Sequence, residues 1–418
     1  MLKEILHEGN ESHLAPLNGV RALSIIFVIC FHAYFFSQYA FTEKELFVQF
    51  SEGLPWWLSW IRRGDMGVDI FFVLSAFLIG SQLFAEYNRS SSINFRWFYI
   101  KRFLRIYPLY IFAIALYVLS KKNAGFFWAN LLAVNNLIDL KKILIPWSWS
   151  LSVEIQFYLI CPFLVIMFGR AKYKIFWFTG MLMLSLLWAV AVIMNQPELL
   201  NNSMMDILVG DQKRDLGFYY MEYLYVLPQA RFPSFYCGLL AAWLWVNHQE
   251  AIVIQMKRSQ SALLIVSVLS LIGAILIASY DVFKPASSFN DFDHAFHSIN
   301  MVAGRFIFSL LITLLIIISL ARVRGGRWIG RFFSSPIFYP IAKVSYSMYL
   351  FHPPFLFLSF FLIFGKGKIE ALSVVNLLLL ASMGILFSFI FGVITYYLVE
   401  RRFTSKNIRQ RLREKFAT

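Results

Sequence analysis

Long apolar runs alternate with short polar segments along almost the whole chain. Runs of about 20 residues recur from Val20 to Val399, and each is long enough to cross a hydrocarbon layer of roughly 30 Å. Ten runs can be delimited, at approximately 18–41, 66–85, 104–120, 147–169, 174–194, 231–247, 261–280, 299–321, 337–364 and 371–399. A shorter apolar piece, 124–136, is expected to be interfacial or re-entrant. The pattern predicts an all-α, polytopic integral membrane protein.

The composition agrees with this prediction. Of the 418 residues, 59% are hydrophobic and only 15% are charged, whereas about a quarter of the residues of an ordinary soluble domain are charged. The net charge of +15 does not indicate a nucleic-acid partner, because the basic residues lie at the ends of the apolar runs. Lysine and arginine at those positions set the orientation of a protein in the membrane.

The basic residues also predict an orientation. They are more numerous in the segments on the side of the N-terminus, and ten spans place the basic tail "RRFTSKNIRQRLREK" on that same side. Both termini are therefore expected in the cytoplasm. The first run is expected to be a retained helix rather than a signal peptide. The predicted organisation is a cytoplasmic segment 1–17, a membrane domain 18–403 and a basic cytoplasmic tail 404–418.

The first run contains an arginine and a histidine, Arg21 and His32. Eleven residues of helix are three turns plus about 20°, so both side chains lie on one stripe, separated by roughly 16 Å along the axis. Arg21 could be an interfacial anchor whose guanidinium reaches the headgroups, and His32 could be a packed histidine bonded to a backbone carbonyl. An ionisable group at mid-membrane is costly, however, and indicates a functional site by default.

Two acidic residues fall within or at the ends of other runs. Asp69, at the start of the second run, could orient an imidazole or serve as a helix-start cap. Glu154 is the acid of the fourth run, and an unpaired carboxylate there would cost several kcal/mol. Glu154 is therefore expected either in a polar site within the bundle or in a pair with a spanning arginine.

Basic residues cluster before the third run, in "FRWFYIKRFLRIYPLY". Arg102 and Arg105 lie about one helical turn apart. Topology and contact with anionic membrane lipids explain the cluster in one interpretation. In the other interpretation, the cluster binds a phosphorylated cytosolic ligand, because arginine can bind a phosphate through two hydrogen bonds.

Three further side chains have open alternatives. His352 precedes two prolines in the ninth run, and it could bond backbone groups freed by the kink or take part in a site, as could Tyr346. Arg231 could meet a buried carboxylate or contact a substrate. The segment "NDFDHAFH" is a weak metal-site pattern, and no metal is predicted.

Seven motifs occur in an order that resembles the acyltransferase 3 family of membrane O-acyltransferases. They are "LNGVRALSIIFVICFH", "GVDIFFVLSAFLI", "RFLRIYPLY", "WSLSVEIQFYL", "RFPSFYCG", "SYSMYLFHPP" and "YYLVERRF". The resemblance implies transfer of an acyl group, usually acetyl from acetyl-CoA, to a hydroxyl of an envelope polysaccharide, a lipopolysaccharide sugar or another acceptor. It also implies a multi-pass location in the bacterial inner membrane.

The resemblance extends to individual residues. The family's arginine–ten residues–histidine motif matches Arg21 and His32, and the histidine is regarded as catalytic. The stretch tryptophan–serine–leucine–x–x–glutamate begins at Trp149 and ends at Glu154, and the basic stretch matches Arg102 and Arg105. Two departures occur: Ile155 stands where many members have a second glutamate, and Ala76 follows Ser75 where glycine is usual.

These residues together suggest a reaction with substrates from both sides. Acyl-CoA, the expected donor co-substrate, would place its nucleotide on Arg21, Arg102 and Arg105. His32 would act as base or nucleophile, and Glu154 or Asp69 would hold its tautomer or bind the acceptor. The acceptor would enter from outside past Trp147 and Trp149, and the residues expected to bind it are Trp149, Tyr158, Arg231, Tyr346 and His352.

Two points stay open at the level of sequence. Some family members carry an extracytoplasmic esterase-like domain after the last span, whereas this chain ends about 19 residues beyond it. It is therefore expected either to complete the transfer itself or to pass the group to a separate partner. The alternative function is a transporter or flippase in which His32 and Glu154 form a proton relay. No oligomeric state is predicted.

Overall fold

The computed structural model describes residues 14–120, 125–210, 213–284 and 286–404. The described ranges contain ten long helices. They are α1 (Ala15–Ser37), α2 (Gly67–Ser90), α3 (Phe95–Ser120), α4 (Trp149–Arg170), α5 (Lys174–Asn195), α6 (Pro228–Arg258), α7 (Gln260–Ser279), α8 (Arg305–Ala321), α9 (Phe338–Phe364) and α10 (Val374–Thr395).

The prediction of an all-α polytopic membrane protein is confirmed. In the described ranges, nine helical segments are long and apolar enough to cross a membrane, and α6 is not among them. The predicted span 231–247 lies within α6, whose 31 residues suffice in length but include Arg231 and other polar side chains. The expected segment 1–17 and the tail 404–418 lie mostly outside the described residues.

Short connections make the helices antiparallel. Residues 91–94 join α2 to α3, residues 171–173 join α4 to α5, and Ser259 joins α6 to α7. We call the end of the bundle that holds these three connections the basic end, because Arg96, Lys101 and Arg102 lie there. The other end is called the opposite end. That the basic end faces the cytoplasm stays a prediction.

Several shorter elements cover the opposite end. Helices Lys44–Glu52, Phe127–Leu131, Arg214–Tyr220 and Asp291–Ile299 lie in its connections. The apolar piece 124–136 forms only the five-residue helix and part of a following 3₁₀ turn, with residue 124 outside the described ranges. The segment after α1 pairs with the segment before α10, where Thr42 N–H donates to the Ile369 carbonyl over 2.9 Å.

Helix α2 lies at the centre of the bundle, where it packs against α1, α4, α6 and α8. Its contact with α6 is close, because a Cβ atom added to Gly238 would lie 2.3 Å from the Val73 carbonyl oxygen. The same Cβ would lie 2.8 Å from the Ala76 methyl group. Gly238 on α6 therefore leaves room for the methyl group of Ala76. Position 76 is the one at which the family motif usually has glycine.

Helix α9 forms the second main packing unit with α1 and α10. It contains Pro353 and Pro354 directly after His352, yet it runs without interruption from Phe338 to Phe364. Proline is tolerated in a membrane helix when neighbouring groups satisfy the freed backbone. The Leu350 carbonyl is satisfied in this way, because Tyr117 and Trp147 each donate a hydrogen bond to it over 3.1 Å. This packing brings His352 against α1.

Candidate active site

His32 of α1 and His352 of α9 form a hydrogen-bonded pair in the interior of the bundle. The Nδ1 atom of His32 lies 3.1 Å from Nε2 of His352, and the ring centres are 4.7 Å apart. His32 Nδ1 also lies 2.9 Å from the Val28 carbonyl oxygen. On the other ring, His352 Nδ1 lies 2.8 Å from the Tyr349 carbonyl oxygen.

These contacts indicate which nitrogen of each ring carries the proton when both histidines are neutral. A carbonyl oxygen only accepts, so His352 carries its proton on Nδ1 and its Nε2 is an acceptor. His32 must then donate from Nδ1, to His352 and to Val28. The Nε2 atom of His32 is left unprotonated, and it has no hydrogen-bond partner within the described ranges. An imidazole nitrogen in this state is a proton acceptor.

His32 lines a cavity of about 240 Å³ toward the opposite end. Aromatic side chains form much of its wall, among them Phe36, Phe357 and Phe360. Lys366 and Lys368 stand at this cavity, and the ammonium group of Lys368 donates to the Tyr39 carbonyl over 2.6 Å. We call this space the histidine cavity.

A second cavity, of about 270 Å³, extends toward the basic end and is called here the arginine cavity. It is lined by four basic residues and one acid: Arg21, Lys101, Arg102, Arg105 and Glu154. The four positive charges exceed the one negative charge, so the cavity has a positive potential that attracts anionic ligands. Tyr346 and Tyr349 of α9 complete its wall.

Glu154 is held by a short chain of hydroxyl groups. The Tyr158 hydroxyl, one helical turn along α4, donates to Glu154 Oε1. Because that proton is committed, Ser75 Oγ of α2 must donate to the Tyr158 oxygen, over 2.7 Å. Arg102 lies against the Tyr158 ring, with 5.9 Å from its guanidinium carbon to the ring centre. The carboxylate therefore faces the arginine cavity in a fixed orientation.

Tyr349 lies one helical turn before His352 on α9 and contacts α4. The Tyr349 hydroxyl donates to the Trp147 carbonyl over 2.5 Å, and Ser150 Oγ in turn lies 2.5 Å from Tyr349 Oη. Tyr349 lines the arginine cavity, and its ring centre is 5.9 Å from that of His352. One turn of α9 thus carries both a residue that lines the arginine cavity and the histidine that orients His32.

Asp69 belongs to a different cluster, near the opposite end. Its side chain is fully buried and pairs with two arginines: Arg305 Nη1 lies 2.5 Å and Arg231 Nη1 3.2 Å from Asp69 Oδ2. Ser234 Oγ donates to Oδ1 over 2.9 Å. The Arg231 guanidinium also stacks on Trp149, 4.8 Å from the ring centre. Arg231 therefore meets a buried carboxylate, which is one of the two alternatives expected from the sequence.

The predicted site residues thus fall into three groups. Those at the arginine cavity are Arg21, Arg102, Arg105, Glu154, Tyr158 and Tyr346, and those at the histidine pair are His32 and His352. Asp69, Arg231 and Trp149 form the third group. Neither Asp69 nor Glu154 is hydrogen-bonded to His32, whose ring is held by His352 and Val28.

Sequence reasoning missed several lining residues. Ser75 and Gln82 of α2 both line the arginine cavity, and their seven-residue spacing on one helix face was a usable signal. Lys366 and Lys368 lie in a loop, and no periodicity connects that loop with α1. The segment "NDFDHAFH" forms a capped helix in which His297 bonds the Leu199 carbonyl. No cluster of three metal-ligating side chains occurs in the part of the chain that the structure describes.

Comparison of the sequence with known proteins relates the chain to a family. A family model described as "Acyltransferase domain", of the acyltransferase 3 type, matches residues 14–397. "Putative O-acetyltransferase SACOL0978" of Staphylococcus aureus (strain COL) is 25% identical over 368 residues, which are 81% of this chain and 50% of that protein. No solved structure matches.

Two further relatives match this chain over different lengths. "Peptidoglycan O-acetyltransferase OatA" of Listeria monocytogenes is 28% identical over 179 residues, which are 38% of this chain and 25% of that protein. "Nose resistant to fluoxetine protein 6" of Caenorhabditis elegans is 25% identical over 394 residues, 84% of this chain and 46% of that protein. The Staphylococcus and Caenorhabditis relatives match most of this chain. The chain nevertheless spans only about half of their own length.

Proposed function

Because the chain belongs to the acyltransferase 3 family, we propose that it moves an acyl group, acetyl in the first instance, from acyl-CoA to a hydroxyl of an extracytoplasmic acceptor. The observation that carries this proposal is the position of His32. It lies on α1 together with Arg21, so that one helix lines a strongly basic cavity at Arg21 and a less charged cavity at His32.

The arginine cavity is the donor side of the proposal. Acyl-CoA carries phosphates at its nucleotide end and a thioester at the end of a slim arm. Arg102 and Arg105 would bind the phosphates at the mouth of the cavity, with charge-assisted hydrogen bonds. Arg21 lines the same cavity and lies on the same stripe of α1 as His32, and the arm would follow that stripe toward the histidines. This orientation requires the basic end to face the cytosol.

His32 supplies the proton chemistry. Its free Nε2 takes the proton of the acceptor hydroxyl while the hydroxyl oxygen forms a bond to the thioester carbon. The carbon–sulfur bond then breaks, and the thiolate leaves and receives the proton from His32. The products are an acyl ester and free CoA. In a two-step version, His32 Nε2 itself attacks the thioester carbon, and the carbon–sulfur bond breaks to release the CoA thiolate. The acceptor hydroxyl oxygen then attacks the acyl carbon, the bond between that carbon and Nε2 breaks, and the hydroxyl proton passes to the thiolate.

The histidine cavity is the acceptor side. Phe36, Phe357 and Phe360 offer ring faces to an acceptor, and Lys366 and Lys368 offer donors at its rim. Sugars present both apolar faces and hydroxyls, so an envelope glycan, such as a polysaccharide or lipopolysaccharide sugar, fits this lining. The named acceptor of the Listeria relative is peptidoglycan. The proposed location is the bacterial inner membrane.

The transporter alternative is less well supported. A relay between His32 and Glu154 would need these two groups to be joined by hydrogen bonds. They line different cavities. Glu154 is bonded to Tyr158 and His32 to His352. No hydrogen bond among the described residues joins the two sets.

The test is a sided transfer assay. The purified protein is reconstituted into vesicles, the fraction facing each way is measured, and acetyl-CoA with a labelled acetyl group is added on one side. A candidate glycan is placed on the other side. The proposal predicts label on the glycan only when acetyl-CoA meets the basic end. Uptake of the glycan without labelling would instead support the transporter.

A further inference from the structure

A third cavity, distinct from the two described above, lies beside Arg63 near the opposite end of the bundle. It has a volume of about 40 Å³ and is lined in part by Arg63, Tyr220, Asn300 and Arg305. Arg63 precedes α2 and is only 5% exposed. A guanidinium stays protonated in proteins, so this side chain brings a full positive charge into the interior.

Arg63 forms no ion pair with an acidic residue in the ranges that the structure describes. The hydrogen bonds of its Nη2 are weak ones, to Met66 Sδ at 3.3 Å and to Asn300 Oδ1 at 3.4 Å. Its Nε has no partner at all among the described residues. Burial lowers the pKa of the Arg63 guanidinium, Asp65 opposes this, and the positive charge of Arg305 adds to it. A buried charge in this state is costly unless something compensates it.

The acids nearby are already paired with other bases. Asp65 pairs with Arg305, and Asp69 pairs with Arg305 and Arg231. The neighbouring arginine in the sequence, Arg62, pairs with Asp281. The cluster of Asp65, Asp69, Arg63, Arg231 and Arg305 therefore contains two negative and three positive charges, which leaves one positive charge uncompensated.

Several hydrogen-bond donors belong to the residues that line the cavity. Arg63 Nε–H is buried and has no hydrogen-bond partner among the described residues. Tyr220 and Asn300 line the cavity beside it, and the side-chain oxygen of Asn300 accepts from Arg63. The hydroxyl of Tyr220 and the amide NH₂ of Asn300 are donor groups, whereas Ser185 donates its proton to the Gln229 carbonyl. Donors that converge with a surplus positive charge are the chemistry of an anion site.

We propose that this cavity binds a small monovalent anion, chloride under ordinary salt conditions, which neutralises Arg63. The size of the cavity sets the class of ligand. One water needs about 10–15 Å³ of such volume, so the cavity admits one halide with a water and excludes a sugar or a nucleotide. The site is separate from the proposed transfer chemistry, and it stabilises the cluster that holds the start of α2 and the start of α8.

The test is thermal unfolding of the full-length protein in detergent, in sodium chloride and in sodium gluconate at equal ionic strength. An anion that binds only the folded protein raises the melting temperature with its concentration. We expect chloride and bromide to raise the melting temperature to a plateau, and gluconate, which is too large, to leave it unchanged. Equal melting temperatures in chloride and gluconate would overturn the proposal, since water alone would then fill the cavity.

Two variants locate the effect. Arg63→Gln removes the surplus charge, so the dependence on chloride is lost and the melting temperature in gluconate is no lower than that of the unaltered protein. Arg62→Gln is the matched control, because Arg62 is equally buried but pairs with Asp281. It should lower the melting temperature in both salts and retain the chloride-dependent rise. A chloride effect that persists in Arg63→Gln would place the anion elsewhere and overturn the proposal.

Discussion

The Nδ1 atom of His32 on α1 lies 3.1 Å from the Nε2 atom of His352 on α9. Because His352 uses its own Nδ1–H on the Tyr349 carbonyl, the contact fixes the proton of His32 on Nδ1 and leaves Nε2 as the free base. His352 does not need to touch a substrate for this purpose. We interpret it as a positioning residue for His32.

Substitution of His352 tests this role. His352→Ala removes one of the two acceptors of the His32 Nδ1 proton and leaves the Val28 carbonyl as the other, so the His32 ring is less firmly oriented. We expect kcat to fall by up to about 100-fold, the lower end of the range that a positioned general base contributes. KM for acetyl-CoA should change little. His352→Gln should restore part of kcat, because its amide oxygen can accept the same proton.

The control for this prediction is His294→Ala, which removes an exposed histidine of the Asp291–Ile299 helix. It should leave kcat unchanged. A His352→Gln variant as inactive as His352→Ala, with an equally lowered melting temperature, would show that His352 serves only to pack α9 against α1.

The basic residues of the arginine cavity give a second prediction. Arg102→Gln and Arg105→Gln should each weaken the binding of acetyl-CoA about tenfold, because a charge-assisted hydrogen bond contributes about 1.5–3 kcal/mol when it is well formed. Equilibrium binding of labelled acetyl-CoA measures the change. Arg89→Gln, at an exposed position at the same end of the bundle, is the control. Unchanged affinity in both variants would assign the cluster to lipid contact and topology.

Glu154 gives a third prediction, which separates its charge from its hydrogen bond. Glu154→Gln keeps the bond from Tyr158 but removes the negative charge from a cavity with four positive ones. Binding of acetyl-CoA should tighten about two- to fivefold, as expected for the loss of one screened repulsion. Tyr158→Phe keeps the charge, so it should leave the affinity unchanged. Weaker binding in Glu154→Gln would mean that the carboxylate contacts the donor directly.

Asp69 gives a fourth prediction, on stability. Asp69→Asn leaves Arg231 and Arg305 without their shared carboxylate inside the bundle, and breaking such a buried pair costs about 3–5 kcal/mol. The melting temperature in detergent should fall strongly. Glu198→Gln breaks the exposed pair with Lys213 and should have little effect. Normal stability with lost transfer would instead support a catalytic role for Asp69.

Hydropathy alone predicted the long helices, because each apolar run is bounded by charged residues that mark the membrane surface. The ends of α6 were predicted less well: the helix extends from Pro228 to Arg258, beyond the expected span, since its last turns are polar and carry no hydrophobic signal. Of the covering helices of the opposite end, Phe127–Leu131 lies in the piece 124–136 that was expected to be interfacial or re-entrant, and the other three were not predicted. They are short and held mainly by contacts with the bundle.

The donor side was largely predictable, because Arg21, Arg102, Arg105 and Glu154 are ionisable groups in or beside apolar helices. The partner of His32 was not predictable. His352 is 320 positions away in the sequence, and only the packing of α9 on α1 brings the rings together. Asp69 was proposed to orient His32, but it is paired with Arg231 and Arg305 instead. No role was predicted for Arg305 from the sequence.

The measurement that tests the central claim most directly is acetyl transfer by the purified His32→Ala protein, together with its affinity for acetyl-CoA. His32 lines the histidine cavity, whereas Arg21, Arg102 and Arg105 line the other cavity, so the variant should bind acetyl-CoA as tightly as the unaltered protein. It should transfer no acetyl group to a glycan above the uncatalysed level. Full transfer by the His32→Ala protein would contradict the account.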